Sequence, residues 1–132
     1  MRDSWLDDIV VVNESRAEAV PGDVSVYRSA GEACRALEHW WVENAEGFAF
    51  TAAGDRLSLG VAGGDTVVVA SQEPAVSGSD IVRRWLRGYA KAVLDARQAK
   101  ALEGKVVLSR LEDLGQLPSS VEGLIAYVGF ND

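Results

Sequence analysis

The sequence predicts an α+β fold: an antiparallel β-meander of up to five short strands, covered by a helix from the N-terminal half, one long amphipathic helix and two short C-terminal helices. Three observations predict it. The apolar residues switch from a helical period to a period of two at Phe48 and return to a helical period after Ser77. Gly-containing turns separate the period-two runs. The 132 residues are 48% hydrophobic and 25% charged, with three prolines, which is long enough for one domain with a real core and too short for a second full domain. A single compact domain over 1–132 therefore divides into a strand-and-loop lead-in (1–23), a strand-helix-meander portion (24–71) and a helical part (79–129).

Each element has its own local warrant. Ile9-Val10-Val11-Val12 is β-branched and short, the pattern of a buried strand, and Pro21-Gly22-Asp23 marks the turn after it. Val24-Ser25-Val26-Tyr27 alternates as a second strand. Ser29 stands three residues before Glu32, the spacing of a capping box, and Ala33, Leu37, Trp40 and Trp41 then recur at helical spacing, predicting one amphipathic helix that ends near Trp41. Phe48-Ala49-Phe50, Leu57-Ser58-Leu59 and Thr66 to Ala70 are three further strands, joined by turns at Ala53-Gly54-Asp55 and Gly63-Gly64-Asp65. One face of such a meander needs a cover.

Ser77-Gly78-Ser79-Asp80 opens the longest element. Ile81, Val82, Trp85, Leu86, Tyr89, Ala90, Val93, Leu94 and Arg97 form its stripe, wide enough to pack on a sheet, and Gly104 is a natural stop. Gly88 in its interior costs about 1 kcal/mol against alanine. Two short helices follow from Ser109-Arg110-Leu111-Glu112 and Ser119-Ser120-Val121-Glu122, each a capping-box pattern, ending at Gly115 and near Gly129. Leu124 to Val128 is apolar enough to be a strand instead.

Composition narrows the chemistry. One cysteine, Cys34, and one histidine, His39, give neither an intramolecular disulfide nor a Cys/His zinc cage, so no metal and no cofactor is expected. Five residues apart on a helix, the two side chains point roughly 140° from one another and make a poor nucleophile-base dyad. There is no Gly-x-Ser-x-Gly elbow, and the cluster Gly60 to Thr66 leads into a strand where a phosphate cradle would lead into a helix. Glu43, Glu46 and Asp55 sit among turn residues that would not raise a carboxyl pKa by burial. An enzyme is accordingly less expected than a binding protein. The acidic start, Met1 to Asp8, and apolar runs of at most five residues lead to the expectation of a cytoplasmic protein with no membrane partner.

The net charge of −7 is unevenly distributed: residues 1–79 carry −8, residues 80–110 carry +5 and residues 111–132 carry −4. Arg83, Arg87 and Lys91 recur every four residues on one helical ridge, without the interleaved aromatics of a single-strand groove, so nucleic acid is not the expected partner. The acids Glu38, Glu43, Glu46 and Asp55 cluster around the helix-to-meander junction, where they would draw in a cationic partner. Adjacent indoles on a helix point about 100° apart, so only one of Trp40 and Trp41 can be central to a core. Trp40 beside the acids suits an interface anchor.

The segment Val26-Tyr27-Arg28-Ser29, Ala33, Leu37-Glu38, Val42-Glu43-Asn44, Glu46, Phe50 and Ala53-Gly54-Asp55-Arg56-Leu57, with the tail Leu117 to Gly123, resembles small bacterial immunity proteins of polymorphic or contact-dependent toxin systems. The resemblance implies a cytoplasmic protein that binds and blocks a cognate toxin without turnover, and it carries over no catalytic residue. The expected partner surface is Glu38, Trp40, Glu43, Glu46 and Asp55, facing a toxin or another basic protein. Two alternatives stand beside it. One is a small-molecule-binding or enzymatic domain with a pocket lined by Trp41, Trp85, Tyr89 and Tyr127. The other is a homo-oligomeric structural protein, whose sign would be apolar residues of the long helix left exposed in the monomer.

Overall fold

A computed structural model describes residues 5–43 and 47–131. Its strands are β1 (Val10–Glu14), β2 (Asp23–Tyr27), β3 (Phe48–Thr51), β4 (Asp55–Ala62) and β5 (Thr66–Pro74). The helices are α1 (Trp5–Asp8), α2 (Ala30–Ala36), α3 (His39–Glu43), α4 (Gly78–Leu102), α5 (Arg110–Asp113) and α6 (Val121–Val128). The α+β class and the five-stranded antiparallel sheet are those the sequence predicts, and α1 is a single turn the periodicity did not show. The sheet order is β2-β1-β3-β4-β5, so the meander proper is confined to β3, β4 and β5. β1 lies between β2 and β3, with Val11 opposite Val26 on one side and Phe50 on the other.

That central place explains the unbroken run of β-branched residues. Ile9 and Val11 join Val24, Val26, Phe50 and Ala52 against residues of α4 and α6, whereas Val10 and Val12 join Ala49 and Leu57 against Ala33 and Trp41. The expectation of one covered face is therefore corrected: helices cover both. Four consecutive apolar residues in a strand can be accommodated only where both of its faces are dry.

On the first face, α4 buries Val82, Trp85, Leu86, Ala90 and Leu94. The Trp85 ring stacks on Phe50 with centroids 5.1 Å apart and planes 11° from parallel. Its Nε1–H donates to the Glu18 carbonyl at 2.6 Å, fastening the β1–β2 loop to the helix. Buried Asn13 organises the same loop, donating to the Val20 carbonyl at 3.0 Å and accepting from the Gly22 N–H at 2.8 Å. The loop also accounts for Gly88, since a Cβ there would come within 2.8 Å of the Pro21 ring. Close approach of loop and helix offsets the propensity cost.

The C-terminal apolar segment is the helix α6 and not a strand. Its cap is Ser120, whose Oγ accepts from the Gly123 N–H at 3.0 Å, one residue later than the expected Ser119. Beyond Gly129, Asn131 pairs with the outer edge of β2: its N–H donates to the Val26 carbonyl at 2.6 Å and its Oδ1 accepts from the Val26 N–H at 2.8 Å. The tail thereby closes one edge of the sheet, where exposed ladder groups would invite further strands.

On the second face the single helix expected to run to Trp41 is broken. Ser29 caps α2 as expected, accepting from the Glu32 N–H at 3.1 Å, but Leu37 is extended (φ −82°, ψ 137°) and α3 begins afresh at His39. A continuous helix would turn roughly 80° between Ala33 and Trp41. Both residues are buried in the same cluster, so the break resets the phase that straight propagation would lose.

Candidate functional site

The break at Leu37 fixes what α3 presents. Trp41 turns inward, only 6% exposed, and Trp40 turns outward, 48% exposed. Glu38 and Glu43 are exposed on either side of Trp40 in sequence, with the His39 ring 3.7 Å from the Glu43 carboxylate. Of the residues expected to form a partner surface, the structure thus places Glu38, Trp40 and Glu43 on or beside one short helix. Glu46 lies outside the described residues. Asp55 stands apart, at the start of β4, three residues beyond the level of Phe48 and so about 10 Å along the sheet. There it accepts from the Gln72 side-chain amide at 3.1 Å.

The four rings of the alternative pocket do not converge. Trp41 belongs to the α2–α3 side of the sheet, while Trp85, Tyr89 and Tyr127 pack on the α4–α6 side, so the sheet itself stands between them. Trp85 has spent its N–H on Glu18 and its face on Phe50. Tyr127 donates its hydroxyl to Glu112 at 2.7 Å. Burial, helped by that hydrogen bond, pushes the Tyr127 phenol up to about 12.

Trp41 does border a cavity, with neighbours periodicity could not select. Val42, Gly47, Phe48, Ala49, Leu57 and Leu59 surround a space of about 270 Å³, with Ser58 and Arg56 of β4 completing its lining. It forms where the paired rungs of β3 and β4 stop at Ala49 and Leu57, beside an irregularity in the β4–β5 register at Ser58/Leu59. Gly47 is required by close approach: a Cβ there would sit 2.3 Å from Trp41 Cζ2 and 2.5 Å from the Asn13 carbonyl oxygen.

At the far end of α4 a buried carboxylate organises the C-terminal third. Glu112, 4% exposed, accepts from Arg97 Nε at 2.5 Å, from the Ser109 N–H at 3.0 Å and from the Tyr127 hydroxyl. The Arg97 hydrogen bond, with those from Ser109 and Tyr127, holds the Glu112 carboxyl down at about 2 and raises the Arg97 guanidinium in return. One signal for this cluster was visible: Arg97 occupies a stripe position where a leucine would be expected. Arg97 is therefore not part of the outer basic ridge. On that ridge Arg83 pairs with Asp80 at 2.6 Å and Lys91 lies 3.7 Å from Asp95. Around the same α4–α5 corner four large apolar residues stand exposed: Leu102, Val107, Leu111 and Leu114.

Cys34 and His39 both line a hollow of about 330 Å³ beside Asp65 and Thr66. Burial pushes the Cys34 thiol up, outweighing the neighbouring Arg35, which is the opposite of what a thiolate nucleophile requires. Among the described residues no group of three or more His, Cys, Asp and Glu side chains could hold a metal ion, and no helix is long and apolar enough to cross a membrane. Comparison of the chain with protein-family models, with curated proteins and with solved structures gives no match.

Proposed function

We propose that this chain is a cytoplasmic, non-catalytic protein-binding domain that docks a basic partner on the α3 surface, with a toxin neutralised in the manner of an immunity protein as the partner class. The observation that carries this reading is Trp40, a large indole 48% exposed between the exposed carboxylates Glu38 and Glu43. An aromatic anchor supplies the buried area of a hot spot, and flanking charges steer a cationic surface toward it. The sequence resemblance supplies the partner class.

The test is co-expression with the product of the neighbouring reading frame, followed by titration of the purified pair. Trp40→Ala is expected to weaken binding by about 30-fold or more, the effect of removing a hot spot. Glu38→Gln with Glu43→Gln is expected to slow association and flatten its salt dependence, with little change in dissociation. Circular dichroism should be unaltered in both variants, because the side chains are exposed. Absence of binding at micromolar concentration, or a Trp40→Ala variant that binds as well as the parent, would dismiss the reading.

A second reading, self-association, is favoured by Leu102, 93% exposed at the end of the long helix, with Val107 at 91% five residues later. Isolated exposed leucines are ordinary, whereas Leu102, Val107, Leu111 and Leu114 are all exposed within the short stretch from the end of α4 through α5. Light scattering is expected to give a mass above 14.1 kDa that falls to the monomer value in Leu102→Glu. A parent that is monomeric at high micromolar concentration removes this reading.

A further inference from the structure

His39, the single histidine of the chain, stands between Glu38 and Trp40 at the start of α3. Its side chain is 40% exposed, yet Nδ1 is covered from solvent and makes no hydrogen bond among the described residues. That nitrogen lies 3.7 Å from the Glu43 carboxylate, one turn further along α3. The distance is too long for a hydrogen bond and short enough for an ion pair. Protonation would turn a charged N–H toward Glu43, where an approach of about 1 Å gives a charge-assisted hydrogen bond. Glu43 is itself 52% exposed and therefore open to a partner as well. The other titratable groups bordering the hollow beside the ring are Cys34 and Arg35 of α2, Glu38, and Asp65 of the β4–β5 turn. Arg35 opposes a positive ring and the carboxylates favour it. Of these side-chain types only imidazole ordinarily changes charge between pH 5 and 8, and burial pushes the Cys34 thiol further above that interval.

On the basis of cationic docking at α3, we propose that His39 makes this docking pH-dependent by competing with the partner for Glu43. Protonated, the ring pairs with Glu43 and withholds its carboxylate; neutral, it leaves the carboxylate free. Proton and partner then oppose one another reciprocally, each weakening the binding of the other by the same factor. The sign follows: docking is tightest with the ring neutral and weakens as pH falls through the imidazole range. One exposed ion pair sets the size, up to about five-fold.

Acetylated pentalysine is the probe, because its ammonium groups keep their charge from pH 5.5 to pH 8. It is titrated into the ¹⁵N-labelled full chain at fixed ionic strength, following the indole resonance that disappears in Trp40→Phe. Binding to the parent is expected to be about five-fold weaker at pH 5.5 than at pH 8. His39→Asn, which retains the N-terminal amine, should bind equally at both and match the parent at pH 8. In Glu43→Gln the change should shrink to less than about two-fold, since the ring then has no carboxylate to withhold. Near pH 6.5 in unbuffered solution, the probe should release protons from the parent and not from His39→Asn. Equal affinity of the parent at pH 5.5 and pH 8 would overturn the proposal while leaving docking on α3 standing, and that comparison needs no variant. A pH effect that survives whole in Glu43→Gln would also overturn it, because His39 would then act by charge alone. A Trp40 resonance unmoved at either pH would remove the docking and the proposal together.

Discussion

Trp85→Ala is expected to destabilise the protein by about 3–5 kcal/mol, the range for removing a large buried aromatic side chain. Trp85 is wholly buried between α4 and the sheet, stacked on Phe50 in the centre of the first core. Truncation leaves a cavity in the middle of that cluster and also leaves the Glu18 carbonyl without its donor. Domains of this size have roughly 5–15 kcal/mol of total stability, so the loss is a large fraction of it. In urea denaturation the midpoint should fall by about 2 M at an ordinary m-value. Trp85→Phe keeps a ring against Phe50 while removing the N–H and part of the indole's volume, so it isolates the cost of losing the stack from that of losing the donor only in part. It should cost about 1–2 kcal/mol. A Trp85→Ala protein within about 1 kcal/mol of the parent would mean that α4 is held on the sheet by something other than this stack.

Unfolding of the parent should steepen at both extremes of pH, and two single substitutions should remove the two limbs separately. Glu112 has its folded-state pKa lowered to about 2 from an ordinary 4.5. A depressed acid contributes stability that is complete above its unfolded value, so this contribution is lost as pH falls from about 4.5 toward 2. Tyr127 is shifted the other way, from an ordinary 10.0 to about 12, so its contribution is complete below 10 and disappears as pH rises from 10 toward 12. Glu112→Gln is expected to lower stability at neutral pH and to lose most of the difference from the parent near pH 2. Tyr127→Phe should leave the acid limb largely in place and flatten the alkaline one. Thermal unfolding across pH 2–12 measures both. If Glu112→Gln differs from the parent by the same amount at pH 2 and pH 7, the ion pair with Arg97 is not what stabilises the C-terminal third.

These two experiments address parts of the protein that differed in legibility. Trp85 was readable: it lies on an apolar stripe repeated every three to four residues over a long segment, and such a stripe must face a core. Its partner Phe50 was readable as a strand residue, but not as the ring it stacks on. The Glu112 cluster was readable only as a helix cap. Ser109 and Glu112 form the expected reciprocal box, yet nothing local shows that Arg97 and Tyr127, each fifteen residues away, close on the same carboxylate.

The proposed docking surface divides similarly. Adjacency of Trp40 and Trp41 requires that one point away from any single direction, which follows from helix geometry alone. Which of them is buried depended on the extended Leu37, and that break follows from the need to seat both Ala33 and Trp41 on one sheet. Asp55 illustrates the opposite failure. It is near the other acids in sequence, but β3 carries the chain away from α3 before Asp55 is reached.

Local physics determined the α+β class, the strand periodicity, the caps at Ser29 and Ser109 and the uneven charge, because each depends on residues close together along the chain. The tertiary structure alone decided that β1 is central and covered on both faces, that Trp41 and Trp85 lie on opposite sides of the sheet, and that a cavity opens where the β3–β4 pairing ends. Those outcomes depend on which strands become neighbours. Strand order is a competition among distant segments for the same apolar surface, and it leaves no trace in the spacing of residues along the chain.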